Sequence, residues 1–241
     1  MSKSLKILVI DVGGTHIKAI ATGHKNKIRF DSGPTMTPAR MVKEVLKATE
    51  GWEYDAVSVG YPGPVVDGHP DRNPYNLGGG WVRFDFQKAF GRPVRILNDA
   101  AMQALGSYDG GRMLFLGLGT GLGSAMIAGG SLDPLELAHL PYRGGRTYEE
   151  YAGIGGLKRL GVRRWRKHVS KIAVMLKDAL QMDYVVIGGG NAKKAGKLPP
   201  DVRLGANTNA FLGGFRLWQK QPVHKSVMAR NRRGIKIATT I

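Results

Sequence analysis

Hydrophobic and polar positions alternate in short blocks that predict buried strands separated by helices. Strand-like apolar runs occupy residues 6–11, 55–60, 91–99, 112–118 and 184–187. A capping threonine followed by proline, Thr37-Pro38, starts one helix, and further helices are predicted at about 100–107 and 162–181. Strands that alternate with helices in this way indicate an α/β architecture.

The helix predicted at 162–181 has two different faces. Its apolar positions share one face: Trp165, Val169, Ile172, Leu176 and Leu180. Its other positions include a run of cations: Arg163, Arg164, Arg166, Lys167 and Lys171. We therefore expect one face to join a core and the other to be strongly basic.

Two segments about 100 residues apart share a pattern. Residues 8–15 read LVIDVGGT and residues 114–121 read LFLGLGTG, so each is an apolar strand that runs into a glycine-rich turn. A second strand follows each turn. This repetition predicts two related halves, each offering a turn to a common cleft.

Composition is that of an ordinary soluble globular protein, with 42% apolar and 22% charged residues among 241. The apolar runs are too short to span a bilayer, and the first residues do not resemble a signal peptide. The absence of cysteine excludes disulfides and thiolate metal sites. We expect a cytoplasmic protein with no membrane partner.

Charge is unevenly distributed along the chain. Residues 1–112 carry 15 Lys/Arg and 11 Asp/Glu, a net charge of +4, whereas residues 113–241 carry 21 and 7, a net charge of +14. A polyanionic partner such as nucleic acid, a membrane surface or polyphosphate would explain this excess. A basic surface that is merely solvated explains it equally well.

The first glycine turn has the composition of a phosphate site. Its candidate residues are Asp11, Gly13, Gly14, Thr15 and Lys18. Glycines allow phosphate oxygens to approach backbone N–H groups, and Asp11 could hold Mg²⁺ through water. A plain glycine hairpin is the alternative. The second turn, with Gly119, Thr120 and Gly121, is the matching candidate in the other half.

Other polar residues are candidates for binding or deprotonating a hydroxyl group of a ligand. Asp99, at a strand-to-helix junction, could be a general base for a hydroxyl, or it could cap the helix. Glu136 and His139 are three residues apart and share a face if helical, so both could bind hydroxyl groups, although His139 could instead be a structural hydrogen-bonding residue. Asn76 lies in a loop that could close on a ligand, although a simple turn residue is the more ordinary interpretation.

Together these motifs resemble the ROK family of sugar kinases, and within it the polyphosphate glucokinases. Five segments occur in the family's order: 11–18, 98–99, 117–124, 136–139 and 188–191. The resemblance extends from about residue 6 to residue 218. It implies a duplicated actin-like (ribonuclease H-like) sugar-kinase fold of α/β type, with two domains around a cleft. The expected small domain is 1–98 plus about 206–222, the large domain is 99–205, and 223–241 forms a basic tail.

The resemblance also implies roles for individual residues. Asp99 would be the catalytic base on the 6-hydroxyl of glucose. The sugar would be bound by Asn76, Asn98, Glu136, His139 and one glutamate of the pair Glu149 and Glu150, with Glu149 preferred. Donor phosphates and Mg²⁺ would be held by the two glycine turns, including Asp11 and Lys18. The adenosine side of the donor site would be formed by Gly188, Gly189, Gly190 and Asn191.

Two departures from the common family pattern are visible. The cysteine-rich zinc motif that follows Glu-x-x-His in many members is replaced by residues 140–146, LPYRGGR, so no zinc is expected. Ala138 stands where glycine is usual.

Family repressors carry a helix-turn-helix segment before the kinase-like part, and we expect none here, nor a specific nucleic-acid partner. Family members are commonly homodimers.

The leading hypothesis is therefore phosphoryl transfer from inorganic polyphosphate to the 6-hydroxyl of glucose, which gives glucose 6-phosphate, with use of ATP as a second donor left open. An ATP-dependent hexokinase of the same family that acts on glucose, mannose or another sugar is the alternative. A non-catalytic sugar sensor or nucleic-acid binder is a weaker one, because both phosphate turns and Asp99 are present. The basic helix near Arg163 suits a long polyanionic donor.

Overall fold

A computed structural model of the chain describes residues 5–206 and 208–219, so the predicted tail 223–241 lies outside the described residues. The strands are β1 Ile7–Val12, β2 His16–Ala21, β3 Ile28–Asp31, β4 Ala56–Tyr61, β5 Val65–Val66, β6 His69–Pro70, β7 Val94–Asn98, β8 Met113–Leu118, β9 Leu122–Ala128, β10 Ser131–Leu135, β11 Pro141–Arg143, β12 Arg146–Thr147, β13 Tyr184–Gly188 and β14 Val202–Leu204. The helices are α1 Pro38–Ala48, α2 Phe86–Phe90, α3 Asp99–Ser107, α4 Tyr148–Ala152, α5 Ile154–Ala179 and α6 Asn209–Arg216. Short 3₁₀ helices occupy Leu137–His139 and Ala192–Ala195.

Two five-stranded sheets of the same topology form the frame. Their strand orders are β3-β2-β1-β4-β7 and β10-β9-β8-β13-β14. In the first sheet, β1, β2 and β3 form an antiparallel meander, and β4 and then β7 continue the sheet parallel to β1. In the second sheet, β8, β9 and β10 form the meander, and β13 and then β14 continue parallel to β8. The duplication predicted from the two glycine hairpins is confirmed, and with it the α/β class.

Helix α5 covers the second sheet in the way its sequence predicts. Trp165, Val169, Ile172 and Leu176 are buried in a core with strands β8 and β13. Gly161, with φ 71°, interrupts the helix, so its second segment begins at the predicted position. The preceding turns were not predicted. No helix among residues 5–206 and 208–219 is long and apolar enough to cross a membrane.

Helix α3 contacts both sheets. Its alanines pack against Phe115, Ala125 and Ile127 of the second sheet. On its other side Met102 joins Ile7, Val9, Ala210 and Phe211, which brings α6 against the first sheet. The domain boundaries proposed from the sequence stay predictions, because α3 is shared between the two halves.

Candidate active site

The carboxyl ends of the parallel strands β1, β4 and β7 lie at one edge of the first sheet. Asp11 lies near the end of β1, Gly63 follows β4, and Asn98 ends β7. Ligands of open α/β sheets bind outside this edge because the connections diverge there. The sheet order therefore brings together residues that are more than 80 positions apart in the sequence.

Two roles are predicted at the junction of β7 and α3, helix capping and general base, and Asn98 takes the capping role. The Asn98 side-chain oxygen caps α3 by accepting from the N–H groups of Ala100 and Ala101 at 3.0 and 3.2 Å. Its amide donates to the carbonyl of Gly63 at 3.1 Å. Asp99 is the first residue of the helix, and one of its carboxylate oxygens accepts from Ala100 at 2.7 Å. The Asp99 side chain is half-buried.

The electrostatic setting of Asp99 is unusual for a carboxylate. Burial, together with the nearby negative charge of Asp11, raises the pKa of Asp99 to about 7. Burial also raises the pKa of Asp11, and the Lys18 ammonium 3.7 Å away opposes that effect. A carboxylate with a pKa near neutrality can accept a proton at the pH of a cell, which suits a general base.

The first glycine turn presents backbone donors. The carbonyl oxygens of Gly13 and Thr15 are occupied by the side chain and the backbone N–H of Ser32, at 2.6 and 3.0 Å. By contrast, the N–H groups of Gly14 and Thr15 have no partner within the described residues. Consecutive unpaired N–H groups form an anion site. Asn76 lies against this turn, since a β-carbon on Gly14 would lie 3.1 Å from that of Asn76.

The second glycine turn is held in the same way. Asn191 donates to the Gly119 carbonyl at 3.1 Å, and Ile154 at the start of α5 donates to the Thr120 carbonyl at 3.1 Å. In the described structure the N–H groups of Thr120 and Gly121 are unpaired. Both turns thus have bonded carbonyls and available N–H groups, as a phosphate site requires.

Residues 188–191, which the resemblance predicts to form the adenosine side of the donor site, lie directly behind this turn. Gly189 has a φ of 84°, and a β-carbon there would lie 2.7 Å from the backbone of Leu118. The Asn191 N–H donates to the Leu118 carbonyl at 2.8 Å. Gly188 is buried and Gly190 is exposed. The motif is therefore packed closely against the strand that leads into the second turn.

The two turns converge on the start of α3. Asp11, before the first turn, is close enough for its charge to raise the pKa of Asp99. Gly123, after the second turn, packs on the next residue of α3, because a β-carbon there would lie 3.0 Å from that of Ala100. The strand that leads into the first turn and the strand that leaves the second turn therefore both approach the start of α3.

A cavity of about 210 Å³ opens beside this junction. It is lined by Pro64, Val65, Asn98, Gly123, Ser124, Pro134, Leu135 and Glu136. Of the predicted sugar ligands, Asn98 and Glu136 line it. His139 ends the 3₁₀ helix after Glu136 and is exposed outside this lining. The roles of Asn98, Glu136 and His139 as sugar ligands stay predictions.

The two glutamates of α4 point to different partners. Glu149 Oε2 accepts from the N–H of Leu122 at 3.0 Å, directly after the second turn. Glu150 instead completes a capping box, accepting from the N–H of Thr147 at 2.8 Å. Only Glu149 therefore faces the cleft elements.

The residues at the cleft fit a magnesium ion of limited protein coordination. Within the described residues no group of three or more His, Asp or Glu could hold a metal ion. Mg²⁺ usually takes one or two carboxylates and completes its shell with substrate phosphates and water. Asp11, half-buried beside the first turn, is the carboxylate placed to do this.

Sequence reasoning missed several residues that support the site. Ser32, Gly63, Pro64 and Val65 contact predicted residues or line the cavity. A signal existed for Gly63 and Pro64, because they follow a strand parallel to β1 and so must lie at the same edge. A lone serine such as Ser32 carries no comparable signal.

The fold and the arrangement at the cleft define a ROK-type sugar-kinase architecture. The model of the ROK family matches residues 7–133. A polyphosphate glucokinase of Mycobacterium tuberculosis is 30% identical over 213 residues, which cover 79% of this chain and 80% of that protein. The chain belongs to the ROK family.

Solved structures support the same fold. An inorganic polyphosphate/ATP-glucomannokinase from Arthrobacter sp. strain KM matches with a TM-score of 0.74 at 24% identity, covering 88% of this chain and 97% of that one. A ROK family glucokinase from Streptomyces griseus, in complex with glucose and AMPPNP, matches with a TM-score of 0.68 at 19% identity, covering 88% and 98%. The actin-like sugar-kinase fold predicted from the sequence is confirmed.

Proposed function

We propose that the protein transfers a phosphoryl group from inorganic polyphosphate, and also from ATP, to the 6-hydroxyl of glucose. The observation that carries the proposal is that Asp99 lies near both glycine turns, in which the N–H groups of Gly14, Thr15, Thr120 and Gly121 have no partner within the described residues. Polyphosphate glucokinases, at 30% identity over most of the chain, support the same donor and acceptor.

Asp99 acts as the general base in this reaction. Its carboxylate accepts the proton of the sugar hydroxyl while the hydroxyl oxygen bonds to the terminal phosphorus of the donor, and the bond from that phosphorus to the bridging oxygen breaks, which releases the shortened polyphosphate chain or ADP. Asn98 and Glu136, which line the adjacent cavity, orient the sugar, and His139 and Asn76 complete the contacts when the cleft closes. Closure also excludes water, which would otherwise accept the phosphoryl group.

The donor phosphates bind between the two turns. N–H groups of Gly14, Thr15, Thr120 and Gly121 donate to phosphate oxygens, and Lys18 adds a positive charge. Asp11 would hold Mg²⁺ through water, and the ion would neutralise charge on the donor phosphates. Most of the acceleration then comes from positioning and electrostatics.

ATP as the sole donor is the second candidate. The segment Gly188–Asn191, packed behind the second turn, supports it, as does the similarity to a glucokinase solved with AMPPNP. We further propose that the protein is cytoplasmic and forms a homodimer; light scattering after size-exclusion chromatography tests the homodimer.

The test is a panel of donors and sugars with purified protein. Long-chain polyphosphate and ATP are each offered with glucose and mannose, and glucose 6-phosphate is measured. Turnover with polyphosphate and glucose is expected. Turnover with ATP as donor but none with polyphosphate would refute the polyphosphate assignment. Asp99→Asn should lower kcat by about 10²–10⁴-fold, whereas Asp178→Asn, an exposed control on α5, should not. Near-normal activity of Asp99→Asn would refute the base.

A further inference from the structure

Two elements that begin in contact with the second glycine turn carry exposed cations. Helix α5 starts at the turn, where the Ile154 N–H donates to the Thr120 carbonyl. From residue 151 to residue 177 the sequence contains eight Lys/Arg and no Asp or Glu. The second element is the 3₁₀ helix Ala192–Ala195, which follows Asn191 and carries Lys193 and Lys194.

These two elements are joined side by side. Lys194 Nζ donates to Asn191 Oδ1 at 3.0 Å, and Asn191 in turn donates to the Gly119 carbonyl. Arg166 on α5 donates through Nε to the Lys194 carbonyl at 2.7 Å. A β-carbon on Gly196 would lie 3.0 Å from the same nitrogen of Arg166. A continuous chain of contacts therefore runs from the second turn to the basic face of α5.

We define the donor track as the six cations along this seam: Arg163, Arg166, Lys167, Lys193, Lys194 and Lys197. All six are exposed. Within the described part of the chain none of them has an ion-pair partner. Arg163 lies one helical turn before Arg166 and Lys167, so these three fall on neighbouring positions of the helix surface.

We propose that the donor track binds the part of a long polyphosphate chain that lies beyond the reacting phosphoryl group. This inference rests on the proposed function and names the residues that select a long donor. Unneutralised cations in a row repel one another and attract a polyanion, whose binding releases counterions. ATP has three phosphates and ends in an uncharged base, so it cannot occupy six cations that continue away from the turn.

Position separates this inference from a general effect of positive charge. The track begins at the turn that is placed to hold donor phosphates, and its two elements are fixed to that turn by named hydrogen bonds. A merely solvated basic surface would need no such continuity. A nucleic-acid surface would need no connection to the turn at all.

The test compares two variants with the same loss of charge. Arg163→Gln/Lys167→Gln/Lys193→Gln removes three track cations that make no hydrogen bond in the described structure. Lys25→Gln/Lys43→Gln/Lys47→Gln removes three exposed cations of the first half as the matched control. Binding of long-chain polyphosphate and of tripolyphosphate is measured by titration calorimetry over a range of salt, and kcat and KM are measured with each donor.

The track variant should bind long-chain polyphosphate about tenfold more weakly, and its plot of log affinity against log salt should be shallower by about 2, or roughly 0.7 per lost contact. Tripolyphosphate should be affected less. Equal weakening in both variants, or equal effects on long and short donors, would overturn the inference. So would equally tight binding of a single-stranded oligonucleotide of matched charge. Binding on the track without turnover would instead refute only the proposed donor.

Discussion

Helices α3 and α6 cross at two glycines, and this crossing positions the start of α3. A β-carbon on Gly213 would overlap the Met102 carbonyl oxygen and lie 2.8 Å from its carbon. A β-carbon on Gly106 would similarly overlap Asn209 and lie 2.7 Å from the Gly213 nitrogen. Because the opposing atoms are backbone, they cannot rotate away as a side chain could. Gly213→Ala therefore forces the two helices apart.

The size of the effect follows from these distances. Carbon atoms in contact normally lie about 3.5–4.0 Å apart, so the helices must separate by about 1 Å. Overpacking costs about 1–3 kcal/mol, and at a crossing of two backbones we expect the upper part of that range or more. The better helix propensity of alanine returns about 1 kcal/mol. The net loss of about 2 kcal/mol should lower Tm by about 4–8 °C in a chain of this size.

Activity should fall with stability, because α3 begins at Asp99. A displacement of about 1 Å can cost about 10²-fold in rate. Gly155→Ala is the matched control, since Gly155 also lies in a helix but its β-carbon would meet nothing within 4 Å. Thermal unfolding by circular dichroism and initial rates with glucose measure both effects. Equal Tm and kcat for Gly213→Ala and Gly155→Ala would refute the reasoning.

Two further predictions concern the cleft. Because the pKa of Asp99 is raised to about 7 and the base is active when deprotonated, kcat/KM should fall about tenfold per unit below pH 7. A flat profile from pH 5 to 8 would contradict the assignment of Asp99 as the general base. Glu149→Ala should raise the KM for donor because the second turn loses the carboxylate that fixes its backbone at Leu122, whereas Glu150→Ala should cost only about 1 kcal/mol of stability through its capping box. The reverse pattern in donor titrations and thermal melts would show that the other glutamate serves the cleft.

Most of the secondary structure could be predicted because local periodicity reports burial. Alternation with period 2 marks β2, and apolar positions spaced three or four apart mark α1 and the second segment of α5. The first turns of α5 escaped prediction because three glycines, Gly155, Gly156 and Gly161, weaken the helical signal. Helix α6 escaped for the same reason, since Gly213 and Gly214 lie in its centre.

The sequence by itself determined the class of the fold, the repeated hairpin, the two glycine turns and the aspartate at the strand-to-helix junction. Each of these is written in neighbouring residues, where pattern and turn chemistry act locally. Only the tertiary structure decided that Asp11 lies close enough to raise the pKa of Asp99, and that Glu149 rather than Glu150 contacts the second turn. Those relations depend on strand order and on how closely two helices approach, and both are set by packing between segments far apart in the chain.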